Sequence, residues 1–137
     1  MYVLSEENVK KIASQELAFG AVTQAFIAAH RGNGTIFPVV IAKGCEEGNS
    51  ISLKSGHIKN LRLSGYKSGS YWAKNHEKGI PNHSTTTILL DEETGITRAV
   101  INAGYLNGLR TAAANAVATK QLARKNATVL GVLGEGH

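Results

Sequence analysis

Cysteine is almost absent from this 137-residue chain: Cys45 stands alone and cannot close an internal disulfide, which agrees with a reducing compartment. It reads as a loop thiol. Long hydrophobic runs are missing too, none approaching the roughly 18 to 20 residues that a bilayer span needs. The opening residues MYVLSEENVKK lack the apolar core of a signal peptide. A cytoplasmic location without membrane contact is the expectation. Aromatic residues make up only 6% of the chain, few for stacking bases. No grouping of His, Cys, Asp or Glu has metal-ligand spacing, so no metal is expected. Internal repeats and low-complexity stretches are absent as well.

Positive charge is in excess, with 15 Lys and Arg against 10 Asp and Glu, a net charge of +5 and a pI of about 9.5. Phosphate neutralisation needs these cations clustered. Here they are scattered, the densest stretches being Lys54 to Lys67 and Lys120 to Lys125. That argues against a nucleic-acid partner and leaves a small anion, a carboxylate first, as the natural ligand. Hydrophobic residues at 42% and charged residues at 18% fit a globular domain. The length allows one ordinary domain, yet the final ATVLGVLGEGH runs from an apolar strand into glycines as though cut.

Ser5 before EENVKKIA supplies a hydroxyl cap and acids for a first helical turn, and Ser14 caps a second helix whose Leu17, Ala21, Val22, Ala25, Phe26 and Ala29 form one stripe. Gly32 and Gly34 end it. Thr35 to Ala42 is a β-branched apolar strand with Pro38 at an edge or bend. Strand patterns follow through Ile51 and Leu53 and through Leu61 to Trp72. Thr85 to Asp91 and Thr97 to Asn102 flank Glu92-Glu93-Thr94-Gly95, a hairpin signal. An alanine-rich helix is predicted over Leu106 to Arg124, then a buried strand of the parallel type over Ala127 to Leu133. The fold class expected is α+β: N-terminal helices, a mainly antiparallel sheet, a long Ala-rich helix, then the first strand of a second, truncated domain.

Two constellations carry candidate chemistry. Gly134-Glu135-Gly136-His137 directly follows a predicted strand, the context of a dinucleotide-binding glycine turn, but a third glycine, the helix and the ribose-binding acid do not follow. Lys67 lies in a strand pattern and Arg110 near the start of the alanine-rich helix, whose face is otherwise nearly bare of polar groups. A guanidinium grips a carboxylate bidentately and a lysine adds a point charge. His83, in a turn before a strand, has the titration range of a general acid or base. His57, Asn82 and Lys54 stay open between a functional and a purely local role. Trp72 and Tyr71 are core or interface aromatics.

In order and spacing, GYKSGSYWAKNHEKGIPNHSTTTILLDEETG, LNGLRTAAANAVATKQLAR and VLGVLGEGH resemble the ornithine cyclodeaminase and mu-crystallin family. The resemblance covers essentially the whole chain, the RTAAA helix leading into a glycine turn being its most specific part. It implies a substrate-binding and dimerisation lobe over 1–126, incomplete without a C-terminal return. It also implies the opening of an NAD(P)-binding Rossmann domain over 127–137. The family acts on amino or imino acids by cyclodeamination or ketimine reduction, with NAD or NADP.

Carried over by residue, Lys67 and Arg110 match the family cations that hold the substrate carboxylate, and Asn82 falls where a further substrate contact often lies. Gly134 and Gly136 match the first two glycines of the cofactor turn. Many members have an arginine where this chain has Val40. Lys54 is the candidate replacement, and ornithine itself becomes doubtful as substrate. The SLKSG, GSYW and PNHST wording is closer to members that reduce small imino acids, such as iminosuccinate reductase, than to the cyclodeaminases. The expected partners are a small amino or imino acid and a second copy of the chain. The chain alone is expected to bind no cofactor. The alternative is an inactive truncated paralogue serving as a small-ligand-binding or dimerisation module.

Overall fold

A computed structural model describes residues 1–134. The chain runs β1 (Tyr2–Leu4), α1 (Glu6–Ile12), α2 (Gln15–His30), β2 (Gly34–Ile36), β3 (Val40–Lys43), β4 (Ser50–Ile58), β5 (Leu63–Tyr71), β6 (His83–Leu90), β7 (Thr97–Asn102) and α3 (Gly104–Leu122). A seven-stranded sheet is ordered β1-β7-β6-β5-β4-β2, with β3 also pairing β4. All pairs are antiparallel except β1 with β7. This is the α+β arrangement expected from the pattern.

Local chemistry explains the helices. Ser5 accepts from the Asn8 N–H while its own N–H donates to Asn8 Oδ1, a reciprocal cap on α1. Ser14 Oγ accepts from the Leu17 N–H at 3.1 Å and starts α2. The β6–β7 connection is held by Asp91, whose Oδ1 accepts from the Glu93 and Thr94 N–H groups and the Thr94 hydroxyl. Those bonds, that from the Thr94 hydroxyl first, hold the Asp91 carboxyl below its usual range. Gly95 closes the turn at φ +70°, a value glycine adopts without steric cost. Arg62 and Ser64, beside the β4–β5 turn, bond Glu93 and Glu92 of this turn.

Paired residues share a sheet face, so the register sorts every strand residue. Lys54, Lys67, Thr87 and Ile101 form one row. The helices lie over that face, α2 and α3 contributing Leu17, Ala21, Leu106 and Leu109 above Lys54, Lys67 and Thr87. The opposite face carries Val40, Leu53, Tyr66, Ile88 and Val100. Burial is modest: Val9, Ala28, Ala99, Ala103, Ala113 and Val117 are the buried apolar residues among those described.

Three features depart from the sequence expectation. The Thr35 to Ala42 stretch is two strands, β2 and β3, because Pro38 lies in the gap between them and has no N–H for a ladder. β1 was not expected at all. Its three residues pair in parallel with Ala99, Val100 and Ile101. Residues 127–134 form no strand, and Val129, Leu130, Val132 and Leu133 are exposed. A strand exists through its ladder, and no described strand pairs with this segment. Among the described residues no helix is long and apolar enough to cross a membrane.

Candidate functional site

The site begins with strand alternation. Lys54 of β4 stands directly opposite Lys67 of β5, and Lys67 pairs onward with Thr87 of β6. On that face the neighbours of Lys67 along its strand are Gly65 and Gly69, so no side chain crowds it from either side. Arg110 arrives from the second turn of α3, which packs on the same face. Three cations from three elements therefore converge.

What links Lys67 to Arg110 is Asn107, one helical turn before Arg110. Its Oδ1 accepts from Lys67 Nζ at 2.7 Å, from Arg110 Nη2 at 2.9 Å and from Arg110 Nε at 3.3 Å. Among the described residues no carboxylate joins them. The ion pairs among the described residues are Lys10 with Glu6 and Arg62 with Glu93, both elsewhere. Burial, and then the positive charges of Arg110 and Lys54, hold the Lys67 ammonium below the usual lysine range. An uncompensated positive cluster of this kind favours an anion.

These groups form the polar end of a cavity of about 440 Å³. Its remaining wall is mainly apolar, with Leu17, Ala18, Ala21 and Val22 from α2 and Leu106 and Leu109 from α3. The Thr85 and Thr87 side chains complete the strand side. A charged end facing an apolar wall suits a small ligand that is anionic at one end.

Of the residues singled out from sequence, Lys54, Lys67 and Arg110 come together here, while Asn82 does not line this cavity. Asn82 Oδ1 accepts from the His76 N–H at 2.9 Å and its carbonyl from the Trp72 N–H at 2.9 Å, bracing the β5–β6 loop. His83 opens β6 with its ring 4.8 Å from that of Tyr71. His57 lies on the opposite sheet face, edge-on to Phe37 at 5.5 Å. Val40 pairs with Leu53, one register place from Lys54. Cys45 is exposed. Gly134 takes φ +75°, as a tight turn would require, and Gly136 lies outside the described residues. Among the described residues no group of His, Cys, Asp or Glu could hold a metal ion. Sequence reasoning missed Asn107. Its i, i+3 spacing to Arg110 was the available signal, since such pairs share a helix face.

The profile of the ornithine cyclodeaminase/mu-crystallin family matches residues 1–137. Iminosuccinate reductase of Paracoccus denitrificans is 36% identical over 137 residues, which cover 100% of this chain and 43% of that protein. The solved structure of the iminosuccinate reductase of that organism, in complex with NAD+, superposes with a TM-score of 0.93 over 100% of this chain and 42% of the other. Thermococcus litoralis Δ1-pyrroline-2-carboxylate reductase, in complex with NADH and L-proline, is 27% identical with a TM-score of 0.87, over 92% of this chain and 39% of that one. An archaeal alanine dehydrogenase dimer with bound NAD is 32% identical with a TM-score of 0.86, over 92% and 38%. The chain thus spans about two fifths of the length of the proteins it matches.

Proposed function

The chain belongs to the ornithine cyclodeaminase/mu-crystallin family, and from that premise we propose that residues 1–126 are the substrate-binding lobe of an NAD(P)-dependent enzyme. Its substrate is a small amino or imino acid carrying a carboxylate, converted by ketimine reduction or cyclodeamination. The observation that carries this reading is the convergence of Lys67 and Arg110 on one neutral acceptor, with Lys54 opposite Lys67 and no ion pair to any of the three among the described residues. In it, Arg110 and Lys67 take the carboxylate and thereby fix the reacting carbon. The apolar wall favours a small side chain.

A nicotinamide cofactor, when bound, supplies or accepts the hydride. The described residues fit such a group only in part. Gly134 has the left-handed conformation of the first turn glycine, but no described helix follows it to offer N–H groups to a pyrophosphate. Residues 127–137 are therefore proposed as the opening of the cofactor domain, and this chain alone is expected to give no heat with NADH.

Calorimetric titration of the 137-residue chain tests the reading. L-proline and L-aspartate should bind, and L-prolinamide, which lacks the carboxylate, should not. Affinity should hold steady below the lowered Lys67 pKa and decline as pH rises through it, because the neutral amine no longer attracts the carboxylate. Equal binding of L-proline and L-prolinamide would sink the proposal.

The opposite sheet face supports a second copy as partner. Val40 (56% exposed), Leu53 (42%) and Tyr66 (40%) share it, an apolar surface of the sort that promotes association. Light scattering should return a dimer mass. A monomer at high micromolar concentration would contradict that. The same surface favours the second reading, an inactive module serving small-ligand binding or dimerisation.

A further inference from the structure

Resting on the reading that Lys67, Arg110 and Lys54 hold a carboxylate, we propose that Asn107 is the positioning residue of this site. Its amide oxygen pins the Lys67 ammonium and the Arg110 guanidinium at one point, and its neutrality leaves their charge free for the ligand.

Donor counting supports this. A lysine ammonium has three N–H donors and a guanidinium five. Asn107 Oδ1 engages one from Lys67 and two from Arg110. Two N–H groups of Lys67 and three of Arg110 remain for a ligand, in an orientation already set. An oxygen offers two lone pairs, and the third contact, Arg110 Nε at 3.3 Å, is the longest. The acceptor is saturated by the two cations it holds together.

Asn107 is itself held. Its N–H donates to the Ala103 carbonyl at 2.8 Å and its carbonyl accepts the Thr111 hydroxyl at 2.7 Å. Ala103 is buried at the start of α3 and Thr85 O receives its N–H, which ties this helical turn to β6. The amide therefore stands on a fixed platform rather than a loop.

Charge and length both specify this side chain. An aspartate would offer the same oxygen geometry but neutralise one of the cations and occupy the anion's place. A leucine of similar size would remove the acceptor, unpinning both cations and setting an apolar side chain against the Lys67 ammonium, whose charged form would lose a hydrogen bond. A glutamine would carry the oxygen one methylene further and shift both cations. The preorganisation matters because ordering two long side chains on binding subtracts from affinity.

The test uses Asn107→Asp and Asn107→Leu in the 137-residue chain, each checked for native fold by its amide NMR spectrum. Two quantities are measured: L-proline affinity and the titration of Lys67 followed at its side-chain carbon by NMR. L-proline affinity should fall roughly tenfold or more in Asn107→Asp and by several-fold in Asn107→Leu. The Lys67 titration should move up in Asn107→Asp and down in Asn107→Leu, a split in sign that a merely structural role would not produce. The proposal is overturned if wild type binds L-proline and both variants bind it equally well. It is also overturned if both move Lys67 the same way or not at all. Failure of the wild type to bind L-proline would instead remove the carboxylate reading, while the Lys67 titrations would still decide whether Asn107 holds the lysine.

Discussion

Replacing Arg110 by Met should weaken L-proline binding by about thirtyfold, taking about 2 kcal/mol as the low end for truncating a hydrogen-bonded charge. The low end applies because Arg110 is solvent-exposed, where water screens the contact. Arg110→Lys should recover only part of the loss, since an ammonium keeps the charge but not the planar fork that meets both carboxylate oxygens. The fold should be almost indifferent. Arg110 donates to Asn107 and forms no ion pair among the described residues, and removing one of three repelling cations relieves Lys67. The thermal midpoint should stay the same or rise while binding collapses. Calorimetry and a melting curve on the same samples check both halves, and an Arg110→Met protein that binds L-proline like wild type would place the carboxylate elsewhere.

Gly65→Ala should be strongly destabilising, by on the order of 3 kcal/mol, the upper part of the usual range for forcing an atom into filled space. A Cβ at position 65 would lie 2.4 Å from the Ile88 carbonyl oxygen and 3.2 Å from a Leu89 methyl. The nearest atom is backbone, in the ladder between β5 and β6, so no side-chain rotation clears it. Gly65 pairs across the other ladder with Gly56, where a Cβ would meet the Thr35 carbonyl at 2.4 Å. The β6–β7 register shifts at Leu89 and Leu90, so the strand beside Gly65 is irregular where the approach is closest. A fall in melting temperature of roughly 10 °C follows for a domain of this size. Gly20→Ala is the control. It sits inside α2 with nothing within 4 Å of the added Cβ, and should stabilise by about 0.5 to 1 kcal/mol through helix propensity. If Gly65→Ala melts with wild type, the close approach of β5 and β6 is not obligatory.

Much of the architecture was legible residue by residue. Ser5 and Ser14 mark the starts of α1 and α2 because a hydroxyl before an apolar stripe satisfies N–H groups within three residues of itself. Gly95 marks the β6–β7 turn because only a local conformation is at stake. Lys67 and Arg110 stood out as charges in apolar or small-residue company. The family, too, was readable from segments such as LNGLRTAAANAVATKQLAR. In each case the determining groups lie within a few positions along the chain.

The tertiary structure decided what those residues do together. Lys54 and Lys67 are thirteen positions apart, and only the β4–β5 register places them opposite each other. A shift of one residue would have sent either to the outer face. Asn107 looks like any helical asparagine until β5, forty residues away in sequence, delivers Lys67 Nζ to its oxygen. β1 has no readable period in three residues and exists because β7 leaves an edge to pair with. Helices and turns follow from neighbours in sequence, so the sequence by itself determined them. The anion site is set by register and by helix-on-sheet packing, which no local stretch encodes because both are properties of the whole sheet.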